Sequence, residues 1–382
     1  MTDTSLYEQQ SLIEDSARRF LDHHYSFEAR RNIIHEEPGY STRQWEEMAE
    51  LGWMLLPMSA DFGGLGGDMA LVSTLAKEFG RSLFVNPFLG SAIVSTKIIE
   101  ESDSEPLRSE ILDGIGAGGA IVSPALYEAQ VRYDLDNIET TASKRDSRVV
   151  LNGTKTAVLY GNVASDLLVL ARDEAEHKNA NYSLYLVPVN QQGVAMTHHR
   201  THDGGRMSDV LLRDVEVNRN QILLHGQETL PIVKRSVRYA NAAICAELVG
   251  AMEATFEMTL EYIKTRQQFG KHLSSFQALQ HRMVDMFMRC QLAESMRREA
   301  ARAIESANET EQDMIISAAK CEIARAALLN AEEAVQLHGA MGMMDEMPVG
   351  HYLKRVFTLG LLFGDADYHQ NCYRNMRIQA SH

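Results

Sequence analysis

The residues with the clearest chemical meaning are Arg266-Gln267-Gln268-Phe269-Gly270-Lys271, followed by Ser275-Phe276-Gln277-Ala278-Leu279-Gln280. They join two long helical patterns. An Arg at a helix end donates to anionic oxygens, and backbone N–H groups beside a glycine permit close approach, so the segment suits a pyrophosphate. The plainer role for Arg266 is a charge favoured by the dipole at a helix C-terminus. A second segment runs from Gln336-Leu337-His338-Gly339-Ala340 through Met341-Gly342 to Pro348-Val349. Carboxylates form the other group of interest. Ala240, Ala243, Ile244, Glu247, Ala251 and Ala254 share one helix face by spacings of three and four. A lone carboxylate on such a face is either buried in a structural ion pair, with an Arg of an adjacent helix as one example, or functional, since burial raises its pKa toward that of a base. Glu253, Glu257 and Glu261 fall on another face and read as solvated, near Lys264. Lys234, Arg235 and Arg238 precede that helix, and such a group suits phosphates, although it is more often solvated. The histidine pairs His23-His24 and His198-His199 lack the spacing of metal ligands, and no metal is expected.

Three regions must position these groups, with expected bounds 1–120, 121–225 and 226–382. The first reads helical: Leu12-Ile13, Ala17 and Phe20-Leu21 recur at helical spacing, as do Trp45, Met48, Leu51 and Met54. Gly63-Gly64-Leu65-Gly66-Gly67 follows no strand and reads as a loop between helices. In the second region the period shortens. Val149-Val150-Leu151, Asn152-Gly153 and the run from Lys155 to Tyr160 predict a hairpin. Leu167–Leu170, Leu184–Val187 and Val210–Val217 predict buried strands of a small sandwich or barrel. The third region is helical again, and Ile316, Ala319, Ile323, Ala327, Ala331 and Ala334 make one apolar face. Ala-rich faces allow close packing in an antiparallel bundle.

The chain has 382 residues, enough for more than one typical domain. Its Lys+Arg of 37 against Asp+Glu of 52 gives −15, which argues against a general nucleic-acid partner. Cys245, Cys290, Cys321 and Cys372 are far apart and read as reduced core thiols. No apolar run reaches the roughly 18 residues of a membrane span. MTDTSLYEQQ lacks the pattern of a secretory signal. The expectation is a cytosolic protein of bacterial type with no membrane partner.

The Arg266–Gln280 and Gln336–Val349 segments, in this order on two long helices, resemble the acyl-CoA dehydrogenase family. The resemblance covers nearly the whole chain and is most specific in the C-terminal third. It implies a mostly α fold of the α+β class: an N-terminal helical domain, a middle β-barrel or sandwich, and a C-terminal four-helix bundle. It implies FAD as cofactor. It carries Arg266, Phe269 and Gly270 onto contacts near the pyrophosphate, and Gln277 onto a polar contact from the next helix. It carries Gln336, Gly339 and Ala340 onto the adenosine end of an FAD held with a neighbouring subunit. An oligomer is therefore implied. The implied reaction is α,β-dehydrogenation of an acyl-CoA thioester, in fatty-acid or steroid side-chain β-oxidation. A carboxylate removes the α-proton, the β-hydrogen leaves as hydride, and an acceptor such as electron-transfer flavoprotein takes the electrons.

The sequence departs from that family at the base. Many members carry Glu-Gly-Thr after an aromatic residue near the C-terminus. Here the run is Phe363-Gly364-Asp365-Ala366-Asp367, which puts Gly364 at the Glu position. The second familiar base position falls on Ala240. Glu247 is then the leading catalytic candidate, Asp365 or Asp367 the next, and a chain without a base remains open. The strand region departs too. Thr156-Ala157-Val158-Leu159 stands where Trp-Ile-Thr often follows the Lys, and Tyr127-Glu128-Ala129 with Arg132–Leu135 replaces a Thr-Glu-Pro-x-x-Gly-Ser loop. These variants resemble the small-subunit branch of bacterial acyl-CoA dehydrogenases, some of which pair with a second dehydrogenase-like subunit. The alternatives are therefore a non-catalytic subunit sharing an FAD site, a monooxygenase on the same fold, and a flavin-free structural relative.

Overall fold

The computed structural model describes residues 3–145, 148–174 and 181–379. Helices come first: α1 (Asp3–His24), α2 (Phe27–His35), α3 (Thr42–Glu50), α4 (Met69–Arg81), α5 (Thr96–Ile99, continuing a π-helical turn Leu89–Ser95) and α6 (Glu105–Gly116). Ser41 caps α3 by accepting from the Gln44 N–H at 3.2 Å. The helical spacing is borne out at Ala17, Phe20, Leu21, Trp45, Met48 and Met54, all buried. Leu12 and Leu51 face solvent instead.

Eight strands follow: β1 (Val122–Ala125), β2 (Thr141–Arg145), β3 (Arg148–Leu159), β4 (Asp166–Asp173), β5 (Tyr182–Pro188), β6 (Val194–Arg200), β7 (Arg206–Val217) and β8 (Ile222–Gly226). They form one sheet in the order β6-β7-β3-β2-β4-β5-β8, with β1 added parallel to β4. Most pairs are antiparallel. Leu151, Val158, Leu167, Val169, Val187, Leu212 and Val215 form its core. One expectation fails here. Asn152-Gly153 is not a hairpin turn, because β3 runs straight through it and pairs with both β2 and β7. The register shifts at Gly153, and an added Cβ there would lie 2.7 Å from Thr140 Cα. The glycine permits a bulge and a close backbone approach, which a sequence cannot distinguish from a turn.

The last part is helical: α7 (Thr229–Thr265), α8 (Gln277–Ala303), α9 (Glu309–His338), α10 (Pro348–Leu361) and α11 (Ala366–Gln379). Between α7 and α8 lie the short paired strands β9 (Gln267–Gln268) and β10 (Lys271–His272). The apolar face expected for α9 is buried at all six positions, and α8, α10 and α11 pack against that helix. Thus the expected order of helical, strand and helical regions holds. Among the described residues no helix is long and apolar enough to cross a membrane.

The chain divides into two compact units. One comprises Met1–Asn32, Met69–Val85 and Asn241–His382. The other comprises Ile33–Asp68 and Asn86–Ala240 and contains the eight-stranded sheet. In the first unit α4 and α7 touch backbone to backbone. A Cβ added at Gly250 would collide with the Lys77 carbonyl and stand 2.9 Å from the Arg81 nitrogen. One added at Gly80 would stand 2.7 Å from Glu247 Cα. Gly250→Ala is expected to lower unfolding stability by about 1–3 kcal/mol, the usual cost of overpacking. The urea midpoint checks this, and an unchanged midpoint would show that the helices separate freely.

Candidate functional site

The Arg266–Lys271 segment leaves the end of α7 as a tight hairpin. The Arg266 N–H bonds back to the Tyr262 carbonyl at 2.8 Å, and the Leu273 N–H closes onto the Arg266 carbonyl at 2.9 Å. Phe269 and Gly270, at the tip, both have positive φ, 54° and 76°. Two such residues in succession make the turn that matches strand twist, which explains the glycine. Phe269 is 89% exposed, an unusual position for a large aromatic. It meets the edge of Phe276, at 6.3 Å between ring centres, while Lys271 Nζ lies 4.1 Å over the Phe276 ring. Among the described residues nothing bonds the guanidinium of Arg266 or the side-chain amides of Gln277 and Gln336. All three are exposed.

Gln336 lies in the last turn of α9, and Gly339 ends that helix at φ 60°. Beneath it His338 is buried and stacked on Tyr262, with ring centres 4.3 Å apart. Its Nδ1 is 2.7 Å from the Ala334 carbonyl oxygen, and burial pushes its pKa down. This packing ties the α9 end to α7 and leaves Gln336, Gly339 and Ala340 on the surface. Such an arrangement presents unpaired donors to an anion and a polar ligand, and those donors fit the diphosphate and adenosine of FAD.

Each candidate carboxylate has a defined place. Glu247 is buried on the Ala-rich face of α7, as its spacing implied, and meets Arg355 Nη2 of α10 at 2.5 Å. Glu253 and Glu257 are not simply solvated. Lys77 binds Glu253 at 2.8 Å, and Arg81 binds Glu257 at 2.7 Å. Only Glu261 has the expected surface partner, Lys264 at 2.9 Å. Asp365 accepts the Tyr368 N–H at 2.8 Å and so caps α11. The Asp367 side chain is 86% exposed and pairs with Arg325 at 2.9 Å. The basic group expected to precede the Glu247 helix instead lies within the first turns of α7, because the helix already begins at Thr229, and it is largely neutralised: Lys234 binds Asp136 and Arg235 binds Glu101.

Two buried lysines escaped the sequence reading. Lys320, inside the α9 face, donates to the carbonyls of Leu359 at 2.8 Å, Leu362 at 3.2 Å and Gly360 at 3.4 Å. These are the orphan acceptors of the α10 C-terminus, where a cation is favoured. Burial pushes the Lys320 ammonium down to about 8, with Cys245 and Asp365 opposing. The next residue, Phe363, offers its carbonyl to Asn241 Nδ2 and His369 Nε2, each at 3.3 Å. Lys155 of β3 is the second case. It binds Glu128 at 2.7 Å, and Glu128 also accepts from the Thr140 hydroxyl and the Thr140 and Glu139 N–H groups. Burial pushes Lys155 down to about 8. Burial also works to raise the Glu128 carboxyl, but Lys155 and the other donors outweigh it and hold the carboxyl low. A Lys-Thr alternation and a Tyr-Glu-Ala run gave no signal of this pairing, because the two lie 27 residues apart. Among the described residues no group of three or more potential ligands could hold a metal ion.

Burial, then the Lys320 charge, pushes the His369 imidazole down to about 3. Its ordinary value is 6.5, so the unfolded chain takes up this proton first. The stabilisation from the neutral ring is complete above about pH 6.5 and is lost as pH falls toward about 3, by at most about 1.4 kcal/mol per pH unit. His369→Gln should flatten that acid limb. Denaturant midpoints measured between pH 7.5 and 4.5 check this, and parallel curves for variant and wild type would exclude it.

Comparison with known proteins follows the same outline. Residues 7–119, 123–215 and 230–373 match, in turn, the N-terminal, middle and C-terminal domains of acyl-CoA dehydrogenase. An L-prolyl-[peptidyl-carrier protein] dehydrogenase of Serratia sp. is 25% identical over 96% of this chain and 95% of its own. The ChsE4-ChsE5 complex of Mycobacterium tuberculosis contains a chain that superposes with a TM-score of 0.85 at 22% identity, covering 100% of this chain and 99% of that one. Butyryl-CoA dehydrogenase of Megasphaera elsdenii does so with 0.85 at 20% identity, covering 99% of each. The two structural likenesses establish the fold, and the three consecutive domain matches establish the kinship. The chain belongs to the acyl-CoA dehydrogenase family of oxidoreductases, whose cofactor is FAD.

Proposed function

We propose that the chain acts in the α,β-dehydrogenation of an acyl-CoA thioester to the 2-enoyl-CoA. We further propose that its regions 1–120, 121–225 and 226–382 serve as the family's three domains. The observation that carries this reading is the exposed hairpin with its unpaired Arg266 guanidinium and two left-handed tip residues. FAD, when bound, supplies the redox chemistry by accepting the β-hydrogen as hydride. Arg266 binds its diphosphate, the backbone at Phe269 and Gly270 approaches it closely, and Gln277 adds a polar contact. Gln336, Gly339 and Ala340 serve the adenosine end of an FAD bound by a neighbouring subunit, so the working unit is an oligomer. Electrons leave to an acceptor such as electron-transfer flavoprotein. The Serratia relative's name points to carrier-protein thioesters as a second substrate class.

With Ala240 and Gly364 at the familiar base positions, Glu247 takes the α-proton if the chain acts by itself. A specific observation favours a second reading. Arg355, at 2.5 Å, already occupies the Glu247 carboxylate, and a charge-assisted bond of that kind weakens a base. In this reading the chain is the FAD-sharing half of a hetero-oligomer, and a second dehydrogenase-like subunit supplies the base. The relative crystallised as the ChsE4-ChsE5 complex supports it.

Two variants test these roles. Arg266→Ala should weaken FAD retention by about 1.5–3 kcal/mol, the worth of a hydrogen bond to a charged group. Flavin absorbance after dialysis reports it, and full retention would remove Arg266 from the cofactor contacts. Glu247→Gln keeps shape and removes the basic oxygen. If Glu247 is the base, wild type should bleach anaerobically with an acyl-CoA and the variant should not, at equal FAD content. Equal bleaching rates would make Glu247 structural. Wild type that bleaches only with a second subunit would favour the hetero-oligomer.

A further inference from the structure

The segment Leu362–Asp365 joins α10 to α11 and contains the position to which the family resemblance assigns a base. Its backbone is fixed from three sides. Lys320 binds the Leu362 carbonyl, and Asn241 and His369 both reach the Phe363 carbonyl. Phe363 has φ 54° and Gly364 φ 119°. His369 is buried, and its Nδ1 lies 3.3 Å from Ser317 Oγ, so the ring is held at both nitrogens. A Cβ built on Gly364 would stand 2.5 Å from His369 Nε2, 2.9 Å from His369 Cδ2 and 2.7 Å from Tyr368 Cδ1.

We infer that the His369 ring helps keep position 364 free of a side chain, and so bars that position from carrying a proton-accepting carboxylate. Three obstacles act at position 364, the φ, the Tyr368 ring edge at 2.7 Å and the His369 ring, and the last can be separated from the others. The positive φ strains any residue with a Cβ, whatever surrounds it. The ring adds a collision that depends on the volume at position 369. A ring clamped between a hydroxyl and a carbonyl cannot move aside as the end of a long side chain can. The lack of a carboxylate at 364 is then not a single-residue change. It is built into the packing of α11 against the loop, and any proton acceptor must come from another position or another chain. The inference depends on the proposed function only for the chemical meaning of position 364.

A double-mutant cycle on the full chain, read by denaturant midpoint, tests it. Gly364→Ala should lower the midpoint in the wild-type background and in His369→Phe, which keeps a ring. In His369→Ala the same substitution should lower it by clearly less, because the collision with the His369 ring is gone and only the φ strain and the Tyr368 contact remain. A purely hydrogen-bonding role for His369 would make the Phe and Ala backgrounds behave alike. Equal Gly364→Ala shifts in the Phe and Ala backgrounds would therefore overturn the inference. Should Gly364→Ala alone fail to fold, recovery of cooperative unfolding in Gly364→Ala/His369→Ala supports it. Failure to recover in both the His369→Ala and His369→Ser backgrounds overturns it. Because unfolding is read without substrate, a negative result leaves the dehydrogenation reading standing. Absence of bleaching, conversely, leaves this inference standing.

Discussion

A buried ammonium without a carboxylate partner is costly unless its donors are satisfied. Among the described residues Lys320 meets that requirement by donating to three backbone carbonyls at the end of α10. Much of the site's framework follows from this contact. It fixes where α10 stops, and hence the path of Phe363 and Gly364. It also anchors the helix whose Arg355 holds Glu247. On the same α9, further along, Gln336 and the Gly339 terminus stand at the surface. One lysine in the middle of α9 therefore ties that helix to the loop at the position where the family resemblance would place a base.

The 37 residues of α7 form the other organising element. Along it lie Ala240, Asn241, Glu247 and Gly250, with Arg266 just beyond its end. Its contact with α4 through Gly80 and Gly250 is too close for any side chain to intervene. Around that contact Lys77, Arg81, Glu253 and Glu257 form an ion network. Isolated surface pairs contribute little, but these side chains are mostly half-buried and share partners, so they act as a group. Glu247 sits at the same crossing. Its ion pair with Arg355 is at least a structural contribution, whatever its chemical one.

Periodicity made the order of elements legible. The Ala-rich face of α9 and the Trp45-Met48-Met54 stripe were visible because burial repeats with the helix. The strand runs at Leu167 and Leu184 were visible because fully buried strands are continuously apolar, and the run from Val210 because burial alternates along β7. The Arg266 hairpin was legible as a motif, and the structure adds why a glycine stands at 270. Polar pairing across long separations was not legible. Glu253 read as solvated because its partner Lys77 is far away in sequence, and Lys320 gave no signal because its carbonyl partners lie about 40 residues on. His369 gave no signal, since its role depends on a ring filling space beside a glycine five residues earlier. Asn152-Gly153 misled because a bulge and a turn use the same residues. The composition of Glu247's helix face correctly implied burial, but only the structure supplies Arg355.

The most direct test of the account is an anaerobic titration of the purified FAD-loaded protein, with any second subunit that remains bound, against acyl-CoA thioesters of short, long and ring-bearing chains. Flavin absorbance and thioester mass would be followed in the same samples. The account predicts loss of absorbance matched by a two-hydrogen decrease in the mass of at least one thioester, the signature of 2-enoyl-CoA formation. Protein that binds FAD and is reduced by dithionite, yet changes neither its absorbance nor the mass of any thioester, would contradict it.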